Sequence, residues 1–272
     1  MLNALLGDAR LYLRLVVMQI RAQLRYKVNL LIDITTYFLI TGLEFGAIML
    51  LFGPFPSILG WHIGEVAFLY ATTSISFGLA ELFGAGIDAF DMTIRRGEFD
   101  RVLLRPVSAF VQVIGSDFRL RRFGRLTEGL MAFGIALKLL PAMTWTPLKL
   151  VLLPVGLVSG AVVFTAILLL GATMCFWTVE TTELTNILTY GGREMLSYPF
   201  SIYNQNLQRF FLFVVPLAFC SYIPVCYLLG RDMPFELPGG IAFAAPLVAL
   251  FFALASGAIW RIGVNHYQST GS

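Results

Sequence analysis

Glu44 and Glu81 are the residues of this chain whose chemistry is hardest to explain as surface polarity. Both fall inside long apolar runs. A charge at the centre of a bilayer costs about 2.5–3.5 kcal/mol on translocon scales, so such groups face a protein interior. There they can contact a cationic substrate, pair with an arginine or hold a proton. A plain packing hydrogen bond is an equal alternative. Glu183 and Arg193 lie in a third stretch, 179–209, that is too polar to face lipid. These four residues are the candidates for a polar site inside the protein. A second set could perform recognition. It lies in the run Ile94-Arg95-Arg96-Gly97-Glu98-Phe99-Asp100-Arg101-Val102-Leu103-Leu104-Arg105-Pro106.

Other chemistry is missing from the sequence. Cys175, Cys220 and Cys226 have no metal or redox spacing, and His62 and His266 lie at opposite ends of the chain. No Gly-x-x-x-x-Gly-Lys-Ser/Thr surrounds Lys27, Lys138 or Lys149, so no nucleotide binds through a P-loop. Gly-x-Ser-x-Gly and His-Glu-x-x-His are also absent. The expectation is a chain without a catalytic centre, metal or bound cofactor of its own.

The elements that must position these residues are membrane helices. Of the 272 residues, 58% are apolar and 13% charged. That composition excludes a soluble enzyme, a disordered chain and a disulfide-built module. A net charge of +3 is too small for a nucleic-acid binder. Apolar runs cover 28–52, 65–90, 150–177 and 241–260, with a more polar one at 123–140. The run 210–229 is charge-free but holds Pro216 and Pro224. Six spans follow, in an all-α integral membrane domain covering 1–272. The runs are too long for barrel strands.

Fourteen of the nineteen basic residues lie in 1–27, in 93–125 and at Arg261. The positive-inside rule places those regions, and both termini, in the cytoplasm. Trp61 and Trp145 then mark outer ends, and Trp177 and Trp260 inner ends, as in aromatic belts. Met1–Gly7 lacks the basic start of a signal peptide, so the first span is expected to be an uncleaved anchor.

Residues 1–27 read as an interface helix. At 100° per residue Arg10, Arg14, Arg21 and Arg25 share one arc, beside an apolar face of Leu2, Leu6, Ala9, Leu13, Val17, Ile20 and Leu24. Such a helix anchors to lipid, or also carries motion from a cytoplasmic partner into the first span. Residues 93–122 read as an ordered cytoplasmic loop. Pro106 can open a helix whose one face holds Val107, Phe110, Val111, Ile114 and Phe118. Charge retention alone accounts for the arginines of this loop but not for its ordered pieces, so docking on a cytoplasmic surface is favoured. Gly42-x-x-x-Gly46 and Gly156-x-x-x-Gly160 predict close helix packing. Residues 179–209 admit two readings: a cytoplasmic loop before a span at 210–229, or a buried span at 181–200 followed by a pair broken at Pro216.

Gly97-Glu98-Phe99-Asp100 followed by Leu103-Leu104-Arg105-Pro106 resembles the cytoplasmic loop of bacterial ABC type-2 exporter permeases. The likeness continues through Gln112, Asp117-Phe118-Arg119, Ser197-Tyr198-Pro199-Phe200-Ser201-Ile202-Tyr203, Val215-Pro216-Leu217-Ala218-Phe219 and Leu228-Leu229-Gly230-Arg231. It implies six spans, an N-terminal interface helix, a coupling helix between spans two and three, and a fifth span plus outer-leaflet re-entrant segment over 181–229. It implies export by alternating access in the bacterial inner membrane. ATP and Mg would be bound by a partner ATPase subunit, alongside a second permease subunit and membrane lipid. Arg95, Glu98, Phe99, Arg101 and Arg105 are the expected ATPase contacts; Glu44, Glu81, Glu183 and Arg193 are the expected path. A proton-coupled carrier and a non-transporting membrane scaffold are the rival readings.

Overall fold

A computed structural model describes residues 2–140, 143–178 and 182–268, with the side chains of 2–6 and 182 excepted. Leu2 and Leu6 of the expected apolar face, and residue 181 at the start of the expected fifth span, therefore lie outside the described parts. Among the described residues every element is helical, apart from an isolated bridge between Ile58 and Trp61.

Helix α1 (Leu2–Leu24) leads into α2 (Lys27–Leu51), and α3 (Ile63–Asp88) continues through α4 (Phe90–Arg95). Short helices α5 (Phe99–Leu103) and α6 (Ala109–Ile114) and a 3-10 turn at Leu120–Arg122 form the next connection. α7 (Phe123–Leu139) and α8 (Pro147–Met174) follow. α8 opens on Pro147, whose missing N–H costs nothing in a first turn, and Thr146 Oγ1 caps it by accepting from Lys149 N–H at 3.3 Å. α9 (Thr182–Asn186), a π turn at Ile187–Gly191 and α10 (Gly192–Leu196) keep right-handed helical dihedrals at both joints. They form one helix with a π bulge, a feature frequent at functional sites.

α11 (Gln205–Arg209) and a π turn (Phe210–Val214) precede α12 (Leu217–Cys220) and α13 (Tyr222–Leu229). The two halves are bent by 71° between Val214 and Leu217. Pro216 is the cause: it offers no N–H to the preceding turn and cannot continue it. The run 210–229 is therefore not a straight span. Gly230, at φ 69, closes α13 in the left-handed conformation that a Cβ would oppose. α14 (Ala245–His266) ends the described chain.

Among the described residues four helices are long and apolar enough to cross a membrane, and the bent pair would make a fifth. α7 and helix 182–196 fall below that measure because both are short and carry charges. α3 is the axis of the bundle, with 89% of its apolar window buried, against 17% for α2 and 22% for α14. α3 meets its neighbours through small residues. A Cβ on Gly86 would collide with the Val113 carbonyl, and one on Gly129 would stand 3.1 Å from Ile75. Gly160 meets Ser76 and Ser221, and Gly156 meets Pro224, as expected of that glycine pair. Gly42 and Gly46 differ: nothing lies within 4 Å of either position. Two tryptophans also depart from the belt expectation. Trp61 and Trp260 are buried, while Trp145 and Trp177 are exposed.

Candidate functional site

The charges inside the bundle converge. α3 supplies Glu81, α7 supplies Arg125 and Glu128, α10 supplies Arg193, and α2 supplies the half-buried Glu44 from its bundle-facing side. Arg125 Nε lies 2.8 Å from Glu81 Oε2, and Arg125 Nη1 lies 3.9 Å from Glu44 Oε2. Arg193 Nη2 donates to the same Glu44 oxygen at 2.7 Å and to Glu194. One carboxylate thus joins two buried guanidinium groups from different helices. Tyr37 Oη donates to Glu81 at 3.1 Å and accepts from Arg125 Nη2 at 3.3 Å, while Tyr190 Oη donates to Glu81 at 3.2 Å. The face of Phe77 carries Arg125 at 5.2 Å and Arg193 at 6.0 Å. These are the distances at which an aromatic ring attracts a cation.

Three of the four expected path residues, Glu44, Glu81 and Arg193, therefore meet in one network. Glu183 does not join it. It is exposed on α9, about 15 Å along the helix from Arg193. Arg125 and Glu128 are missing from the sequence expectation. They stand at the edge of the weakest apolar run, where Arg125 reads as one more positive-inside residue. Glu128 is fully buried, and neither of its oxygens meets a hydrogen-bond donor. The Tyr70 hydroxyl, which donates to the Thr41 carbonyl at 3.1 Å, lies beside it.

At the end of α3, Arg122 is buried and reaches Asp88 at 2.8 Å and the Glu81 carbonyl. This fixes the root of the loop that follows. Gly97, at φ 65, turns the chain between α4 and α5, and its N–H donates to the Ile94 carbonyl at 3.0 Å. Phe99, expected among the partner contacts, is instead fully buried. Its ring lies 5.2 Å from Phe90, 5.4 Å from Phe176 and 5.0 Å from Tyr267. Trp260 joins the same cluster, 5.1 Å from Phe90. The aromatic surface of Phe99 is spent on rooting the loop against α8 and α14.

Gln112 is the second anchor. Its Nε2 donates to the Val102 carbonyl at 3.0 Å and to the Val107 carbonyl at 3.3 Å. This holds the Leu103–Val107 tip as a fixed bend. The helix after it opens at Ser108, not at Pro106: Ser108 Oγ caps α6 by accepting from Val111 N–H. The other expected contacts remain outside. Arg101 pairs with Glu98 at 3.3 Å across one exposed turn, Arg95 with Asp91 at 3.9 Å, and Arg105 is exposed. Leu104, 83% exposed, is the most prominent apolar side chain of the tip.

A third cluster lies at the opposite end of α3. Arg231 Nε donates to Glu65 Oε1 at 2.7 Å, its Nη2 donates to the Gly60 carbonyl at 2.6 Å, and its guanidinium rests 5.0 Å from the Trp61 ring. The hydrogen bonds that Arg231 donates to Glu65 push its pKa above the ordinary value. Arg231 ties the α13 end to the start of α3.

Apolar membrane helices around a buried ionic network, with an ordered basic loop at one end, define a polytopic membrane protein. Residues 38–271 match the family described as ABC-2 family transporter protein, and the chain belongs to that family of transporter membrane permeases. No curated protein and no solved structure matches the chain.

Proposed function

We propose that this chain is the membrane subunit of an ATP-driven exporter, with ATP and Mg held by a separate ATPase subunit. The observation that carries the reading is the Leu103–Val107 tip. It is exposed, partly apolar and basic, and it is clamped from behind by Gln112 and Phe99. A rigid protrusion transmits a push, where a flexible tether would absorb it. Arg95, Glu98, Arg101 and Arg105 contact the ATPase, and Phe99 makes the contact surface stiff. Movement of the tip reaches the membrane through Arg122 and α3, into the network at Glu81.

A second permease subunit completes the path. The open Gly42 and Gly46 positions and the low burial of α2 support pairing along that helix. Glu44 lies about 160° round α2 from those glycines, on the side turned to the bundle, so a shift of α2 on separation of the two subunits would open the Glu44–Arg193–Glu81 network to a central passage. Its carboxylates favour a cationic or amphiphilic cargo. Six crossings follow if α7 and helix 182–196 span as protein-covered helices and the bent pair re-enters the outer leaflet. Both termini then lie on the cytoplasmic side of a bacterial inner membrane.

The test is co-purification of an ABC ATPase subunit co-expressed with this chain. R101E/R105E is expected to abolish the complex while the permease still folds. An intact complex overturns the docking assignment. For the path, E44Q is expected to change transport of a cationic substrate at unchanged expression, and an unchanged rate returns Glu44 to packing.

A further inference from the structure

Helix α1 presents three distinct sides. One is packed on the loop. Gln19 Nε2 donates to the Ser116 carbonyl at 2.9 Å. Gln23 grips the same segment twice: its Nε2 donates to the Phe118 carbonyl, and its Oε1 accepts from Leu120 N–H at 2.9 Å. Leu15 closes on Gly115, where a Cβ would stand 2.7 Å from Leu15 Cδ1. The second side is an exposed apolar strip of Leu13, Val17 and Leu24. The third is basic. Arg10, Arg14 and Arg21 fill an arc of about 40° at 100° per residue, adjoining the apolar strip, and Arg25 follows in the turn after α1.

All four arginines are exposed, and none has a carboxylate within salt-bridge distance among the described residues. Asp8, the one acid of the helix, lies on the packed side. An apolar strip flanked by uncompensated guanidinium groups fits a helix lying in the membrane plane, with the strip in the acyl boundary. The planar fork of arginine matches phosphate oxygens two at a time, which a compact ammonium cannot do.

We propose that α1 is a binding surface for the phosphate headgroups of anionic lipids in the leaflet beside the 99–122 loop, and that bound lipid holds that loop in place through Gln19 and Gln23. The partner is a lipid rather than a soluble anion because the basic arc and the apolar strip are contiguous. A free phosphate would leave the strip in water. The inference deepens the proposed function by naming what sets the position of the coupling loop. It depends on that function only for the loop's role.

The test uses the full-length chain alone, so its result is independent of ATPase binding. Retention of phosphatidylglycerol against phosphatidylcholine is read by native mass spectrometry from an equal mixture. Amide exchange of residues 116–120 is read in nanodiscs of each lipid. A guanidinium near an anionic surface adds about a fivefold preference, so R10Q/R14Q/R21Q/R25Q is expected to lose more than about a hundredfold of the preference for phosphatidylglycerol. Phosphatidylcholine should stay unchanged. The milder pairs R10Q/R14Q and R21Q/R25Q are each expected to lose about 25-fold, which keeps the test open if the quadruple variant does not fold. Q19A/Q23A should retain phosphatidylglycerol but lose the slowing of exchange at 116–120 that this lipid gives the natural chain. Equal lipid retention in the glutamine variants overturns the binding surface. Intact slowing in Q19A/Q23A overturns the link to the loop. The same slowing produced by inorganic phosphate in phosphatidylcholine discs overturns the lipid as the partner.

Discussion

Replacing Arg125 by methionine would remove the centre of the buried network while nearly conserving its volume. The 2.8 Å contact to Glu81 alone amounts to about 6 kcal/mol of gross attraction at an effective dielectric near 20. Part of that returns, because the variant no longer has to desolvate a guanidinium. The net loss for breaking one half of a buried pair is about 3–5 kcal/mol, most of it the cost of leaving the other charge uncompensated. Glu81 retains its bonds from Tyr37 and Tyr190, which place the expected value toward the lower end of that range. A loss of this size lowers the melting temperature by on the order of 10 °C for a chain of this length. The measurement is thermal unfolding of purified protein in detergent, followed by size-exclusion chromatography. The double variant R125M/E81M should recover at least half of the loss, since apolar replacement of both partners removes the uncompensated charge. A melting temperature of R125M within about 2 °C of the natural chain would refute the reasoning, as would a double variant no more stable than the single.

Three further outcomes follow from the packing. F99A should cost about 3–5 kcal/mol, as for other buried aromatic truncations, and should increase proteolysis within 96–108 more than elsewhere. Gly86→Val should prevent close approach of α3 to α6, because the Val113 carbonyl occupies the required space; loss of folded protein on size-exclusion chromatography checks this. The Glu65–Arg231 pair is partly exposed, so a double-mutant cycle of E65Q and R231Q should give a coupling of only about 1 kcal/mol, read from melting temperatures.

The sequence shows the loop and the network unevenly. The Gly-Glu-Phe-Asp turn is legible because glycine takes φ 65 between two short helices at the least cost. The role of Phe99 is not, since an aromatic residue among arginines reads equally as a contact surface or as an anchor. Burial among Phe90, Phe176 and Tyr267 makes it an anchor. Glu44 and Glu81 stand out because charge is costly inside apolar runs. Their partners do not: Arg125 sits at the end of a charge-rich segment, and the sequence distance from Glu44 to Arg193 is 149 residues. The break at Pro216 is visible in sequence as a proline within an apolar run, while its 71° consequence is geometric.

Composition and periodicity determine on their own that this chain lives in a membrane, that its elements are helices and that α1 has a basic arc. These are local properties, set by the hydration of side chains and by 3.6 residues per turn. Tertiary structure alone decides which charge meets which, that Glu183 stays outside the network, and that Phe99 and Trp260 face inward. Pairing across helices depends on which face each helix turns to its neighbour. That rotation is set by small residues such as Gly86, Gly129 and Gly160 meeting specific partners, through contacts distant in sequence.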